Sequence, residues 1–143
     1  MASTRSRSPR FAVVASEFNR EYTDALLRAV EKALAGHDLT IVRVPGAFEI
    51  PLQVQWLARS GKFAAVIALG VIWQGRTAHA AEILRAVTDA LMRIGLETGV
   101  PVVHQVLAVK TEAEARARCF GKKLNRGLEA AHAALVLAKL EGK

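Results

Sequence analysis

Along this chain, short apolar runs alternate with stretches whose apolar positions recur every three to four residues. Residues 11–15 (FAVVA) are apolar without a break, which predicts a buried strand. Residues 16–20 are a polar break. Leu26, Leu27, Val30, Ala33 and Leu34 then follow helical spacing, and Gly36 reads as the stop. Residues 39–44 (LTIVRV) alternate and are β-branched, a second strand ended by Pro45 and Gly46. Residues 49–59 predict a short helix with Pro51 in its first turn, where proline is tolerated. Residues 64–71 predict a third strand, apolar throughout, and residues 72–77 a loop. Ile83, Ala86, Val87, Ala90, Leu91 and Ile94 form a helical stripe opposite Glu82, Arg85, Asp89 and Arg93. Gly99 and Pro101 close that helix, which spans about 78–97. Residues 102–109 predict a fourth strand. Thr111 can cap a helix reaching about Arg118, residues 121–126 read as irregular and basic, and Leu128, Ala131, Leu135 and Leu140 mark a last helix.

Strands alternating with helices predict an α/β domain with a parallel sheet covered on both faces and right-handed crossovers. In such sheets ligands bind beyond the carboxyl ends of the strands. Those ends fall at residues 16–19, 45–49, 72–79 and 108–111. The 143 residues suit one domain, read as residues 10–143, preceded by a flexible polar arm at residues 1–9.

Composition narrows the class. The apolar share of 52% leaves too much surface to bury for a disordered chain. The longest apolar run, residues 63–73, is too short to span a bilayer as a helix. The first ten residues lack the apolar segment of a secretory signal, so a cytoplasmic protein is expected. One cysteine, Cys119, excludes an internal disulfide framework, and four scattered histidines make no zinc pattern. The net charge of +7 is concentrated in Arg5, Arg7 and Arg10 and in Arg116, Arg118, Lys122, Lys123 and Arg126. Such clusters suit an anionic ligand or a solvated face. A nucleic-acid surface would interleave aromatics or present a recognised motif, which this cluster does not.

Candidate chemistry concentrates in two segments. In Gly70 to His79 a buried strand leads through a glycine-containing loop into a helix start. Free N–H groups and the helix dipole favour an anion there. Thr77 can cap the helix, Arg76 adds positive charge, and His79, in the first turn, is a candidate base. The bland alternative is a capped helix with an incidental histidine. In Pro45 to Pro51, Gly46 permits close approach to the backbone. Glu49 can accept from ligand hydroxyls or merely serve as a helix-start carboxylate. Phe18 can stack on a flat ring or cap the core. His37 reads as solvent-facing and His132 as a surface or interface residue. Ser16, His79 and Glu49 could be forced into a triad, but no nucleophile-elbow motif supports one.

With these residues in hand, the chain resembles the lumazine synthase family from about Arg10 to Leu140. The matching motifs are Ser16-x-Phe18-Asn19, residues 45–51, Gly75-x-Thr77-x-His79, Pro101, Arg118, and Asn125-Arg126-Gly127 leading into Glu129-Ala130-Ala131. The resemblance implies a flavodoxin-like three-layer α/β/α sandwich with a four-stranded parallel sheet. It implies condensation of 5-amino-6-(D-ribitylamino)uracil with 3,4-dihydroxy-2-butanone 4-phosphate to 6,7-dimethyl-8-ribityllumazine, with release of phosphate and water, in riboflavin biosynthesis. No cofactor or metal is implied. Phe18, Asn19, Ala47, Phe48, Glu49, Ile72, Trp73 and His104 match substrate-binding positions. Gly75, Arg76, Thr77, Arg118 and Arg126 match phosphate-binding positions, and His79 matches the proton-transfer residue. The family forms pentamers, decamers or sixty-subunit shells with sites between neighbours, and riboflavin synthase is a candidate partner; neither nucleic acid nor membrane is expected. Departures are Trp73 for a short aliphatic, Arg76 for an acidic or small residue, Ala78 and Ala80 around His79, and His104 for a phenylalanine that closes the adjacent subunit's pocket. The alternative is a non-catalytic shell-forming or flavin- or pteridine-binding paralogue.

Overall fold

A computed structural model describes residues 8–75 and 78–140. Four strands, β1 (Arg10–Ser16), β2 (Asp38–Val44), β3 (Ala65–Trp73) and β4 (Val102–Val109), form one sheet in the order β2-β1-β3-β4. Every pairing is parallel. The helices are α1 (Arg20–Ala33), α2 (Ile50–Arg59), α3 (His79–Thr98), α4 (Glu112–Phe120) and α5 (Arg126–Leu140), and a 3-10 turn lies at Ala47–Glu49. Helices α1, α4 and α5 pack together on one face, and α2 with α3 on the other. The fold is thus the three-layer α/β/α, flavodoxin-like arrangement.

Strand periodicity divides the core between the two faces. Phe11, Val13 and Ala15 of β1 join α1, α4 and α5 on one side, while Ala12 and Val14 join α2 and α3 on the other. Both faces are covered, so β1 is apolar from Phe11 to Ala15 and fully buried. Each buried large side chain there stabilises the fold by roughly 1.5–3 kcal/mol. Helices α1 and α5 approach closely at Gly127, where a Cβ would meet the Leu26 carbonyl oxygen at 2.6 Å and the Ala29 Cβ at 2.9 Å. Only glycine fits that contact.

Several boundaries differ from the sequence pattern. Strand β3 runs on to Trp73, because Ile72 and Trp73 stay in register with Ala108 and Val109 of β4. The basic segment before α5 ends earlier than its charge suggests. Asn125 Oδ1 accepts from Leu128 N–H at 2.9 Å, a cap that starts the helix at Arg126. Thr111 caps α4 as expected, its Oγ1 accepting from Glu114 N–H at 3.0 Å. At α3 the residue in the N-cap position is Ala78, with no side-chain cap. His37 is not simply solvent-facing: its ring meets Phe11 edge-on at 5.6 Å, and its Nδ1 is buried. His132 is exposed on α5. Residues 1–7 of the expected arm lie outside the described residues, as do Arg76 and Thr77.

Candidate active site

Strand order reverses direction at β1. The crossover from β1 goes to β2 on one side, and the chain then returns to β3 on the other. Parallel sheets open a crevice at such a switch point, beyond the carboxyl ends of the strands. A cavity of about 510 Å³ lies there. Three of the four strand-end segments named from sequence contribute to it: Phe18 and Asn19 after β1, Gly46 to Glu49 after β2, and Val71 to Trp73 ending β3. The start of α3 adds His79, Ala80 and Ile83.

Asn19 is the most constrained residue of the site. It sits at the N-cap of α1 in the left-handed region (φ 59°, ψ 43°), the one non-glycine residue with positive φ among those described. Asparagine tolerates that region better than most residues, and strain of this kind clusters at functional sites. Its backbone carbonyl accepts from Tyr22 N–H at 2.9 Å and Thr23 N–H at 3.1 Å, opening the helix. Its side-chain amide donates to the Val71 carbonyl at 2.6 Å. Its Oδ1 accepts from the Trp73 indole N–H at 3.1 Å.

Glu49 serves as a helix-start carboxylate and also lines the cavity. Its Oε1 accepts from Gly46 N–H at 2.9 Å, which closes the 3-10 turn, and it lines the cavity at the same time. A ligand hydroxyl can engage the second oxygen. Phe18 and Phe48 are 74% and 66% exposed, far more than core aromatics, and both line the cavity. They are free to stack on a planar ligand, not caps on the core. His79 occupies the first position of α3 and faces the same space. Ser16 does not join it. Its hydroxyl is buried without a hydrogen-bond partner, and Ser16 is not part of the described lining that holds His79.

The other candidates lie elsewhere on the chain. Arg118 on α4 pairs with Glu114 at 3.0 Å, and Arg126 at the start of α5 pairs with Glu129 at 2.7 Å. These arginines, and Gly75 and His104, are absent from the described lining of the cavity. Desolvation raises the Glu114 and Glu129 carboxyls, but in Glu129 the Arg126 hydrogen bond outweighs it. In Glu114 the Lys110 N–H and Arg118 outweigh it, and both carboxyls titrate below the ordinary glutamate value. His104, on the edge strand β4, lines a separate groove of about 350 Å³ with Thr88, Met92, Leu96 and Leu137. Its Nδ1 accepts from Val106 N–H at 3.1 Å, so Nε2 carries the proton and donates to Thr88 Oγ1 at 2.8 Å. Burial lowers its pKa and favours this neutral form. Among the described residues no cluster could hold a metal ion, and no helix is long and apolar enough to cross a membrane.

Sequence reasoning missed Val71, Ala80 and Ile83 as cavity walls, and Tyr22 behind Trp73. The continuation of β3 past Val71 is what brings Trp73 to the rim, and the apolar run that reaches Trp73 was the signal in the sequence that could have found it.

The profile of the 6,7-dimethyl-8-ribityllumazine synthase family matches residues 8–141. The chain belongs to that family. It is 41% identical to a 6,7-dimethyl-8-ribityllumazine synthase of Xanthomonas campestris pv. campestris (strain B100), over 95% of this chain and 92% of the relative. It is 40% identical to that of Xanthomonas euvesicatoria pv. vesicatoria (strain 85-10) over the same shares. It is 39% identical to that of Stenotrophomonas maltophilia (strain R551-3), over 93% of this chain and 89% of the relative. The match covers most of this chain and most of each relative's length.

Proposed function

We propose that the chain condenses 5-amino-6-(D-ribitylamino)uracil with 3,4-dihydroxy-2-butanone 4-phosphate to 6,7-dimethyl-8-ribityllumazine, releasing phosphate and water. The observation that carries this reading is the convergence of Phe18, Asn19, Ala47, Phe48, Glu49, Ile72, Trp73 and His79 on one cavity of a chain that belongs to the family. Phe18 stacks on the pyrimidine ring, Asn19 and the 47–48 backbone hold its edge, and Glu49 accepts from ribityl hydroxyls. The phosphate of the ketone goes to Gly75, Arg76 and Thr77, which match the family's phosphate-binding positions and precede α3 in sequence, a helix start whose N–H groups favour an anion. Arg118 and Arg126 complete the charge.

In this scheme the substrate amine attacks the ketone, water leaves to form an imine, phosphate is eliminated, and ring closure expels a second water. His79, one residue into α3, moves the protons.

His104 supports a site shared between subunits. It lies on its own chain's β4 groove, away from its own cavity, as a residue offered to a neighbour would. Met92 and Leu96, 64% and 77% exposed beside it, are apolar surface of the kind that association covers. We read the assembly as a pentamer or a multiple of five, with residues 1–9 as an arm on a neighbour's sheet edge. The protein is read as cytoplasmic, with riboflavin synthase as a candidate partner. Mixing the purified chain with both substrates and following lumazine fluorescence tests the activity. Binding without product formation would favour the non-catalytic paralogue instead. An active monomer in light scattering would overturn the shared site.

A further inference from the structure

Trp73 does more than wall the cavity. Its indole N–H is a donor with no acceptor lone pair, and it points at Asn19 Oδ1. The Val71 carbonyl is an acceptor only, and it takes the Asn19 amide N–H. With the amide turned over, Oδ1 would face a carbonyl and the NH2 group would face an indole N–H. Both contacts would then be repulsive, so the pair of partners leaves the carboxamide one orientation. Without the indole N–H, only one partner would remain to choose it.

The indole is itself held from behind. Its ring meets Tyr22 edge-on at 5.8 Å and 82°, and Tyr22 meets Phe120 at 6.0 Å and 73°. Arg116 lies over the Phe120 ring at 4.9 Å. Edge-to-face pairs of this kind fix ring orientation as well as position. Trp73 is nevertheless 40% exposed and lines the cavity, so it is a rim group and not a core tryptophan.

We propose that Trp73 is a positioning residue for the uracil substrate, fixing the Asn19 carboxamide in the one orientation that meets the ring edge. This rests on the activity proposed above. The test compares Trp73→Phe, which keeps a ring against Tyr22 and removes the N–H, with Asn19→Ala and the double variant. For W73F, the KM for the ribitylaminouracil should rise about five- to tenfold, the scale of one lost neutral hydrogen bond. The KM for the ketone phosphate should move less than twofold. The double variant should be no worse than N19A, because the indole acts only through the amide. A W73F enzyme with wild-type KM for the uracil overturns the proposal. So does equal loss for both substrates, which marks a structural role, or additive loss in the double variant. Equilibrium binding of the lumazine product, read by its own fluorescence, gives the same comparison without turnover. A wild-type chain that neither forms nor binds lumazine would instead overturn the proposed activity, and the role of Trp73 with it.

Discussion

The cavity at the β1–β3 crevice and the groove along β4 are of similar scale but differ in kind. The cavity places directional groups among apolar walls: a carboxamide pinned at both ends, a carboxylate, an imidazole and an indole N–H. The groove offers Leu91, Met92, Leu96, Val102 and Leu137, with only the His104–Thr88 pair as polar content. It borders an edge strand, whose outer backbone groups have no sheet partner. A small polar substrate needs fixed donors and acceptors, whereas an association surface needs area and exclusion of water. The difference teaches that one chain carries two unlike surfaces, the cavity fitted to a small polar ligand and the groove to apolar cover, and the shared site proposed above would join them.

The largest expected effect breaks the cavity side. His79→Ala should lower turnover about 100-fold, within the range for a positioned proton-transfer group, with little change in affinity for the ketone phosphate. Steady-state kinetics check it, and wild-type turnover would remove His79 from the mechanism. The second prediction joins the two regions. His104→Ala should cost about tenfold in kcat/KM, the scale of a lost ligand contact. Co-expressed with H79A in equal amounts, about a quarter of the sites should regain both side chains if the interface is heterologous. Activity no higher than the sum of the separate variants would place His104 outside the neighbour's site.

Arg118→Ala should weaken the phosphorylated ketone about tenfold more than the uracil, because charge-assisted contacts are roughly twice as strong as neutral ones. Equal loss for both substrates would point to α4 folding instead. The smallest effect sharpens the groove. Burial lowers the His104 pKa, so the unfolded chain binds that proton at higher pH than the folded one. The stability it preserves is complete above the ordinary histidine value of 6.5 and is lost as pH falls toward the lower folded value. Between pH 7.5 and 5.5 the melting temperature of the wild type should fall about 1–3 °C more than that of His104→Gln. The Glu114 and Glu129 carboxyls, both lowered, lose their contribution only on acidification below their ordinary value of 4.5, outside that window.

Sequence alone determined the order of strands and helices, and hence the ends at which a ligand could sit. FAVVA and the run through Leu69 are buried on both faces, so they stay apolar at every position, and that is visible without coordinates. Phe18, Glu49 and His79 were legible because each follows a strand end, and topology brings strand ends together, whereas Asn19 stood out only through the family resemblance. What the tertiary structure decided depends on contacts far apart in sequence. The 52- and 54-residue separations from Asn19 to Val71 and Trp73 fix an amide whose orientation no local pattern encodes. The bracing of Trp73 by Tyr22 and Phe120 likewise joins β3, α1 and α4. Strand β3 continues past Val71 because β4 offers it a ladder, not because its own residues demand it. His104 is neutral and turned to Thr88 because α3 crosses β4 at that register. Periodicity records which face of an element is buried; it does not record which neighbour buries it, and the site is made of neighbours.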